Sequence, residues 1–161
     1  MMKEYVKNIG TDRAFTKITK YCSYQERCHS EVRHELFSYG LYAEEVEELM
    51  VKLITENYLS EQRFATAFAG GRFRLKKWGK VKIRYELRKR KVSDTCISKA
   101  LSLLDMDTYL DTLKELYKAK ERLLSKEKNE YKRKMQIQAW LLQKGYERDL
   151  IIELFKNGNQ I

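Results

Sequence analysis

Residues 83–87 read Ile-Arg-Tyr-Glu-Leu, and two similar segments lie at nearly equal distances before and after them. Residues 32–36, Val-Arg-His-Glu-Leu, lie fifty-one positions earlier, and residues 137–141, Ile-Gln-Ala-Trp-Leu, lie fifty-four positions later. Each copy carries apolar residues at spacings of three and four, which is typical of a helix with one buried face. A period of about fifty residues indicates tandem repeats of one small structural unit.

The composition of the chain favours helices throughout. There is no Pro and there are only seven Gly in 161 residues, so the residues that end helices and shape turns are scarce. Lys, Glu, Leu and Arg dominate, and these are good helix formers. We therefore predict an all-α fold of three tandem three-helix repeats, which stack into an elongated, curved body.

The boundaries of the repeats follow from the alignment of the three copies. After an N-terminal tail, residues 1–10, the predicted repeats span residues 11–57, 58–105 and 106–161. The predicted helices cover residues 13–28, 31–39, 43–56, 61–77, 80–90, 94–104, 108–130, 133–144 and 148–157.

Ser and Gly mark the expected helix ends. A Ser hydroxyl can accept a hydrogen bond from the first turn of a helix, and the candidates are Ser30, Ser60 and Ser93. Gly40 and Gly145 follow the middle helices of the first and third repeats, where Gly readily takes the left-handed conformation. The second repeat has Lys91 there, so we expect its middle helix to end differently or to run on slightly.

A pair of glycines, Gly70 and Gly71, lies inside the long helix predicted after Ser60. Each Gly destabilises a helix interior by about 1 kcal/mol relative to Ala. The pair therefore predicts a bend in the helix or the close approach of another backbone. A binding role is the less favoured alternative.

The net charge of the protein resides in one segment, residues 72–91, which we call the basic segment. It carries eleven Lys or Arg and one acid, Glu86, whereas the other residues carry 22 basic and 22 acidic side chains. The formal net charge of +10 is thus the charge of this segment. Such a concentration is typical of a surface that meets a polyanion, usually nucleic acid. The alternative is a solvated helix face, but such faces normally interleave both signs.

The basic segment covers the end of one predicted helix, a turn and the next helix. Ile83 and Leu87 of the second helix point to the core, so basic side chains occupy most of its remaining circumference. This pattern favours contacts with a sugar–phosphate backbone over the recognition of bases. Trp78 and Tyr85 are candidates for stacking on an unpaired base, although Trp78 fits a packing role equally well. The predicted binding residues are Arg72, Arg74, Lys76, Lys77, Trp78, Lys80, Lys82, Arg84, Arg88, Lys89 and Arg90.

Charged residues outside the basic segment give weaker signals. The first repeat carries an acidic group that suits contact with a basic protein surface, namely Glu44, Glu45, Glu47 and Glu48. A basic cluster near residues 126–134 contains Glu127 and Glu130, so we interpret it as a solvated helix face.

No arrangement of residues predicts catalysis. The sequence has no glycine-rich phosphate loop, and no nucleophile stands with a base. Cys22, Cys28, His29 and His34 lie close together in sequence but lack the paired spacing of zinc sites. We therefore predict neither an enzyme nor a metal or cofactor site.

The chain also lacks the signals of export and of membrane insertion. It has no apolar run of the roughly eighteen residues that predict a membrane span, and no apolar stretch of secretory type at its start. Three cysteines, Cys22, Cys28 and Cys96, suit a compartment in which thiols stay reduced. We expect a cytoplasmic protein.

Residues 59–92 resemble the central motif of the RecX regulatory proteins. The matching positions are Leu59, Arg63, Phe64, Ala65, Phe68, Arg72, Gly79, Ile83, Glu86 and Leu87. Residues 39–41, Tyr-Gly-Leu, and 142–146, Leu-Gln-Lys-Gly-Tyr, extend the likeness over most of the chain. Residues 60–61, Ser-Glu, replace the acidic pair of the motif, and residues 91–92, Lys-Val, replace its Gly-Ile.

The resemblance implies three three-helix repeats, no catalysis and no cofactor. It further implies a modulator of the RecA recombinase that binds along the groove of the RecA filament on single-stranded DNA. Such proteins usually restrain strand exchange and ATP hydrolysis. The expected partners are the RecA filament and single-stranded DNA, and we expect this protein to bind them as a monomer. The alternatives are a helix-turn-helix transcription regulator, which reads base edges, and a helical scaffold that binds proteins alone.

Overall fold

The computed structural model describes residues 4–157, which form nine α-helices and no strand. The helices are α1 (Thr11–Tyr24), α2 (His29–Ser38), α3 (Ala43–Thr55), α4 (Glu61–Lys76), α5 (Lys80–Lys89), α6 (Asp94–Ser102), α7 (Met106–Leu123), α8 (Glu130–Lys144) and α9 (Arg148–Asn157). The predicted all-α fold is confirmed. We call α1–α3, α4–α6 and α7–α9 the first, second and third triplets; the repeat boundaries between them stay a prediction, and residues 1–3 and 158–161 lie outside the described part.

Two helices end at least four residues earlier than the sequence predicts. The helix α1 ends at Tyr24 because Gln25 is extended, and Cys28 then caps α2. The helix α7 ends at Leu123 rather than near residue 130. The side-chain oxygen of Asn129 accepts a hydrogen bond of 3.1 Å from the backbone N–H of Lys132. A residue that caps α8 in this way cannot also continue α7.

Two of the three predicted Ser caps are confirmed. The Ser60 hydroxyl accepts a hydrogen bond from the N–H of Arg63, and the Ser93 hydroxyl accepts one from the N–H of Cys96. The prediction for Ser30 is wrong, because this residue lies inside α2. Its hydroxyl instead donates to the carbonyl oxygen of Arg90 at 3.2 Å, which ties the first triplet to the basic segment.

The apolar core has two parts. The first triplet packs around its own cluster, in which Ile18, Leu36 and Leu53 are fully buried. The second and third triplets share the other cluster, which includes the fully buried Ile83. Of the first triplet, Cys28 alone belongs to this shared core among the described residues.

The outline of the molecule is extended. Its accessible surface of 11103 Å² exceeds the roughly 8,500 Å² expected for a compact protein of 19.3 kDa. A row of stacked triplets accounts for the excess, because the first triplet packs around a core of its own and the second and third share the other. Within residues 4–157, every helix is too short or too polar to cross a bilayer.

The middle helix of each triplet ends in the left-handed conformation. Gly40 and Gly145, with φ angles of 80° and 99°, confirm the prediction made from the two glycines. Lys91, with a φ of 61°, takes the same conformation, so the expectation of a different helix end is wrong. A non-Gly residue pays roughly 1–2 kcal/mol for this conformation. The packing of Val92 into the shared core holds the chain in place despite that cost.

Replacing Lys91 by Gly should therefore stabilise the protein. The left-handed conformation costs Gly nothing in steric terms, and we expect the free energy of unfolding to rise by about 1 kcal/mol. Urea denaturation followed by circular dichroism measures this change. Lys91→Ala is the matched control, since it removes the same charge but keeps the strain. Equal midpoints for the two variants would show that the strain at Lys91 is negligible.

Candidate nucleic-acid interface

The basic segment forms a corner between α4 and α5. The helix α4 stops at Lys76 because Lys77 takes the left-handed conformation, with a φ of 56°. Trp78 and Gly79 complete the turn, and α5 begins at Lys80. Ten of the eleven predicted binding residues thus lie on two stretches of helix and the turn that joins them, and the eleventh, Arg90, caps the end of α5.

The turn is held against the third triplet by direct contact between two backbones. The N–H of Gly79 donates to the carbonyl oxygen of Lys144 at 2.8 Å, and the N–H of Val81 donates to that of Gly145 at 2.9 Å. A Cβ atom at Gly79 would lie 2.3 Å from the carbonyl carbon of Gly145, and one at Gly145 would lie 2.2 Å from the Cβ atom of Lys82. Glycine is therefore required on both sides of this contact.

Two buried tyrosines complete the attachment. The Tyr146 hydroxyl donates to the carbonyl oxygen of Lys77 at 2.9 Å. The Tyr109 hydroxyl accepts from the N–H of Lys80 at 3.0 Å and donates to Glu147. Burial raises the pKa of both phenols well above the ordinary value. They consequently stay protonated at neutral pH and keep donating.

These contacts from the third triplet were missed by the reasoning from sequence. The only signal was indirect: Gly145 and Tyr146 belong to the segment that extends the RecX likeness. Their spatial partner, the turn at Gly79, lies more than sixty positions earlier in the chain. A local sequence pattern cannot predict a contact between residues so far apart in the chain.

Three of the eleven cations in the basic segment form ion pairs. The Arg88 guanidinium lies 2.9 Å from Asp94, the Arg90 guanidinium 2.9 Å from Glu86, and the Lys77 ammonium 3.9 Å from Glu115. The hydrogen bond from Arg90 holds the pKa of Glu86 below its ordinary value. Within the described part of the chain, the cations with no carboxylate inside 4 Å are Arg72, Arg74, Lys76, Lys80, Lys82, Arg84, Lys89 and Lys91.

Two aromatic rings organise several of these cations. The guanidinium groups of Arg72 and Arg90 lie 4.7 and 4.8 Å from the centre of the Phe68 ring. The Trp78 ring is half-buried against the shared core, and the nearest ammonium, that of Lys82, lies 4.6 Å from its centre. Arg72 and Lys76 approach the same ring. Trp78 thus packs against the shared core and contacts the nearby cations. Its stacking on a base stays a prediction.

The two flanks of α5 differ in how their charges are used. Arg84 and Arg88 face α6, where Arg88 pairs with Asp94 and Arg84 approaches the Ser98 hydroxyl at 3.5 Å. Lys82 and Lys89 lie on the opposite flank with the exposed Tyr85. The unpaired lysines therefore continue the surface that begins at Arg72 and Trp78.

The residues considered for a metal site do not converge. Within the described ranges, no group of three or more His, Cys, Asp or Glu side chains could hold a metal ion. Cys22 and Cys28 are buried, Cys96 is half-buried, and all three are free thiols. Burial raises the pKa of Cys22 to about 11, so its reactive thiolate form is scarce at neutral pH.

Models of protein families match two parts of the chain. The model described as the second three-helix domain of RecX matches residues 60–101, and that of the third three-helix domain matches residues 107–155. Together they span more than half of the sequence. The chain belongs to the RecX family.

Curated RecX proteins show the same relationship. The chain is 34% identical to "Regulatory protein RecX" of Prosthecochloris aestuarii over 95 residues, which is 59% of this chain and 63% of that protein. It is 25% identical to the protein of the same description from Bacillus cytotoxicus over 145 residues, 89% of this chain and 53% of that one. The chain thus spans about half to two thirds of the length of these relatives. Both are described as regulatory proteins and not by a catalysed reaction.

A crystal structure of RecX from Lactobacillus salivarius has the same fold. The two structures superpose with a TM-score of 0.85 over 94% of this chain and 97% of the other, at 21% sequence identity. The fold is therefore that of RecX although four residues in five differ.

The RecX motif residues serve mainly to build the corner. Phe64, Ile83 and Leu87 are buried in the shared core. Arg63 donates to Glu26 at 3.0 Å and so joins α4 to the first triplet. Gly79 makes the contact with Gly145. In this chain the motif thus fixes the position of the basic surface as well as supplying part of its charge.

Replacing Gly79 by Ala should break the attachment of the corner. The added Cβ atom would overlap the carbonyl group of Gly145, and overpacking of this kind costs about 1–3 kcal/mol. Chemical denaturation should show a loss of unfolding free energy in that range. Gly71→Ala adds the same methyl group where no heavy atom lies within 4 Å, so it should be neutral or stabilising. Equal stability of the two variants would contradict the role assigned to Gly79.

Proposed function

We propose that this protein binds the RecA filament on single-stranded DNA through its basic segment. In this role it restrains ATP hydrolysis and strand exchange by RecA in recombination and DNA repair. The RecX relationship supports the choice of RecA as partner, because two RecX domain models match the chain. The observation that carries the proposal is the surface of unpaired cations on α4 and α5.

The arrangement of the cations suits a filament better than a specific DNA sequence. The helix α5, KVKIRYELRK, has no Asn or Gln to pair with base edges. Its unpaired lysines offer contacts to phosphates or to an acidic groove wall, and such contacts carry no base information. A transcription regulator built on α5 would have to read guanine edges with Arg or Lys alone, since the helix carries no Asn or Gln for adenine.

The shape of the molecule also agrees with a binding site that spans several subunits. Three triplets in a row give an extended body, and a filament groove repeats along its axis. A monomer in the cytoplasm, where RecA acts on DNA, is the state in which we propose that it works. No catalytic step is part of this proposal.

The first experiment compares the affinity for three partners at physiological salt. They are RecA filaments assembled on single-stranded DNA, naked single-stranded DNA and duplex DNA. Fluorescence anisotropy of the labelled protein measures each affinity, and we expect a clear preference for the filament. In the same mixtures the protein should lower the rate of ATP hydrolysis by RecA. Equal or tighter binding to naked DNA would contradict the proposal.

A triple variant tests the unpaired lysines. Replacing Lys76, Lys82 and Lys89 by Gln should weaken filament binding roughly 50-fold at 0.15 M salt. The reason is that each lost contact removes about 0.7 from the slope of log K against log salt. Binding measured from 0.05 to 0.3 M salt gives that slope. The three residues are exposed or half-buried and make no ion pair within the described chain, so folding should be unaffected.

The matched control removes three exposed lysines of the third triplet, Lys118, Lys126 and Lys128. It makes the same change in net charge at a different place. Binding close to that of the wild type is expected, since long-range attraction between exposed charges is screened at this salt. An equal loss in both triple variants would mean that net charge alone governs binding.

A further inference from the structure

A cleft separates the first triplet from the basic segment. It encloses about 300 Å³ and is lined by the segment after α1, by one face of α4 and by Arg90. Phe64 and Phe68 contribute apolar surface, and Glu26 and Glu31 stand on the wall of the first triplet. Leu75, at the edge, is 84% exposed. None of the roles described so far uses this space.

Gly71 keeps the cleft open. A Cβ atom at this position would meet no heavy atom within 4 Å beyond its own helix backbone and neighbours. At Gly70, by contrast, a Cβ atom would lie 2.7 Å from the Arg74 guanidinium. The helix α4 runs unbroken through both positions, and no other backbone approaches Gly71. Gly weakens a helix, and packing does not require a Gly at position 71. The effect of Gly71 is therefore to leave this part of the cleft free of a side chain.

Arg72 has donor capacity that the protein does not use. Its Nε atom is the one buried side-chain nitrogen or oxygen of residues 4–157 that lacks a hydrogen-bond partner. The guanidinium group packs against the Phe68 and Trp78 rings, 4.7 and 5.4 Å from their centres. A buried donor without an acceptor is unfavourable. The side chain is thus packed against the two rings, and it lines the cleft without an ion pair in the described chain.

The other charged groups of the cleft already have partners. Glu26 accepts a hydrogen bond from Arg63 at 3.0 Å, and Glu31 accepts one from the N–H of Cys28 at 3.2 Å. Arg90 pairs with Glu86. Arg72 lines the cleft and has no carboxylate within 4 Å among the described residues, so it is the charged group of the cleft left to bind an acceptor from outside the chain. A planar carboxylate fits the guanidinium fork best.

We propose that this cleft binds a protein segment in which an apolar side chain stands beside an Asp or Glu. The apolar side chain enters next to Gly71 and packs on Phe64 and Phe68, and the carboxylate accepts from Arg72. A nucleic-acid strand fits less well, because it carries a phosphate at every nucleotide and Glu26 and Glu31 would repel each of them, whereas the protein segment brings one carboxylate placed at Arg72. The inference rests on the proposed function, and it assigns the occupant to the protein subunits of the filament rather than to the DNA.

Filling the cleft without removing a charge is the sharpest test. Gly71→Leu places a side chain in the open space, and it should leave the urea midpoint unchanged or raised. We expect its affinity for RecA filaments on single-stranded DNA to fall tenfold or more. Its affinity for naked single-stranded DNA should stay within twofold of the wild type, since the basic segment is intact.

Arg72→Gln provides a second, independent variant. Its control is Arg74→Gln, which removes the same charge from the same helix two positions along. Arg74 lies over Gly70 and outside the cleft, so this control measures the purely electrostatic loss. We expect Arg72→Gln to lose at least fivefold more filament affinity than the control.

Each result bears on the inference separately from the proposed function. If the wild type binds the filament and Gly71→Leu binds it equally well, the inference is overturned and the proposed function is not. An equal loss of affinity for filament and for naked DNA also overturns it, because the cleft would then hold nucleic acid. A wild type that does not bind the filament overturns the proposed function and the inference together.

Discussion

The contact between Gly79 and Gly145 is the constraint on which the basic surface depends. A corner that carries eleven cations within residues 72–91 is opposed by repulsion among those charges. Backbone hydrogen bonds to the third triplet hold the turn with groups that carry no charge. Because neither residue has a Cβ atom, the two chains approach closely enough for those bonds to form. The fold thus presents most of the charge unpaired, because the attachment of the turn rests mainly on uncharged backbone groups.

Aromatic side chains link that scaffold to the chemistry of the surface. Phe68 lies between the guanidinium groups of Arg72 and Arg90, and Trp78 supports Lys82. A long cationic side chain that rests on a ring loses less freedom when it binds a partner. The same rings are partly buried against the shared core, so the packing of the interior sets where the cations stand.

The sequence predicts the helices well because their signals are local. The repeat around Ile83, the Ser60 cap and the glycine at position 145 each concern residues within one or two turns of a helix. The failures have tertiary causes. Lys91 takes a conformation that its own side chain disfavours, since the packing of Val92 requires it. The position of the basic segment was readable, but which of its cations are paired depends on how α5 is rotated against α6, as Arg88 and Asp94 show.

The division of the core has a consequence for how the molecule opens. The first triplet encloses its own apolar cluster, and it meets the rest mainly through Cys28 and polar contacts such as those of Ser30 and Arg63. Regions with separate cores exchange their amide hydrogens as separate cooperative units. The first triplet is thus able to unfold transiently while the corner stays attached to the third. In that partly open form the charged face persists, and only one wall of the neighbouring cleft is lost.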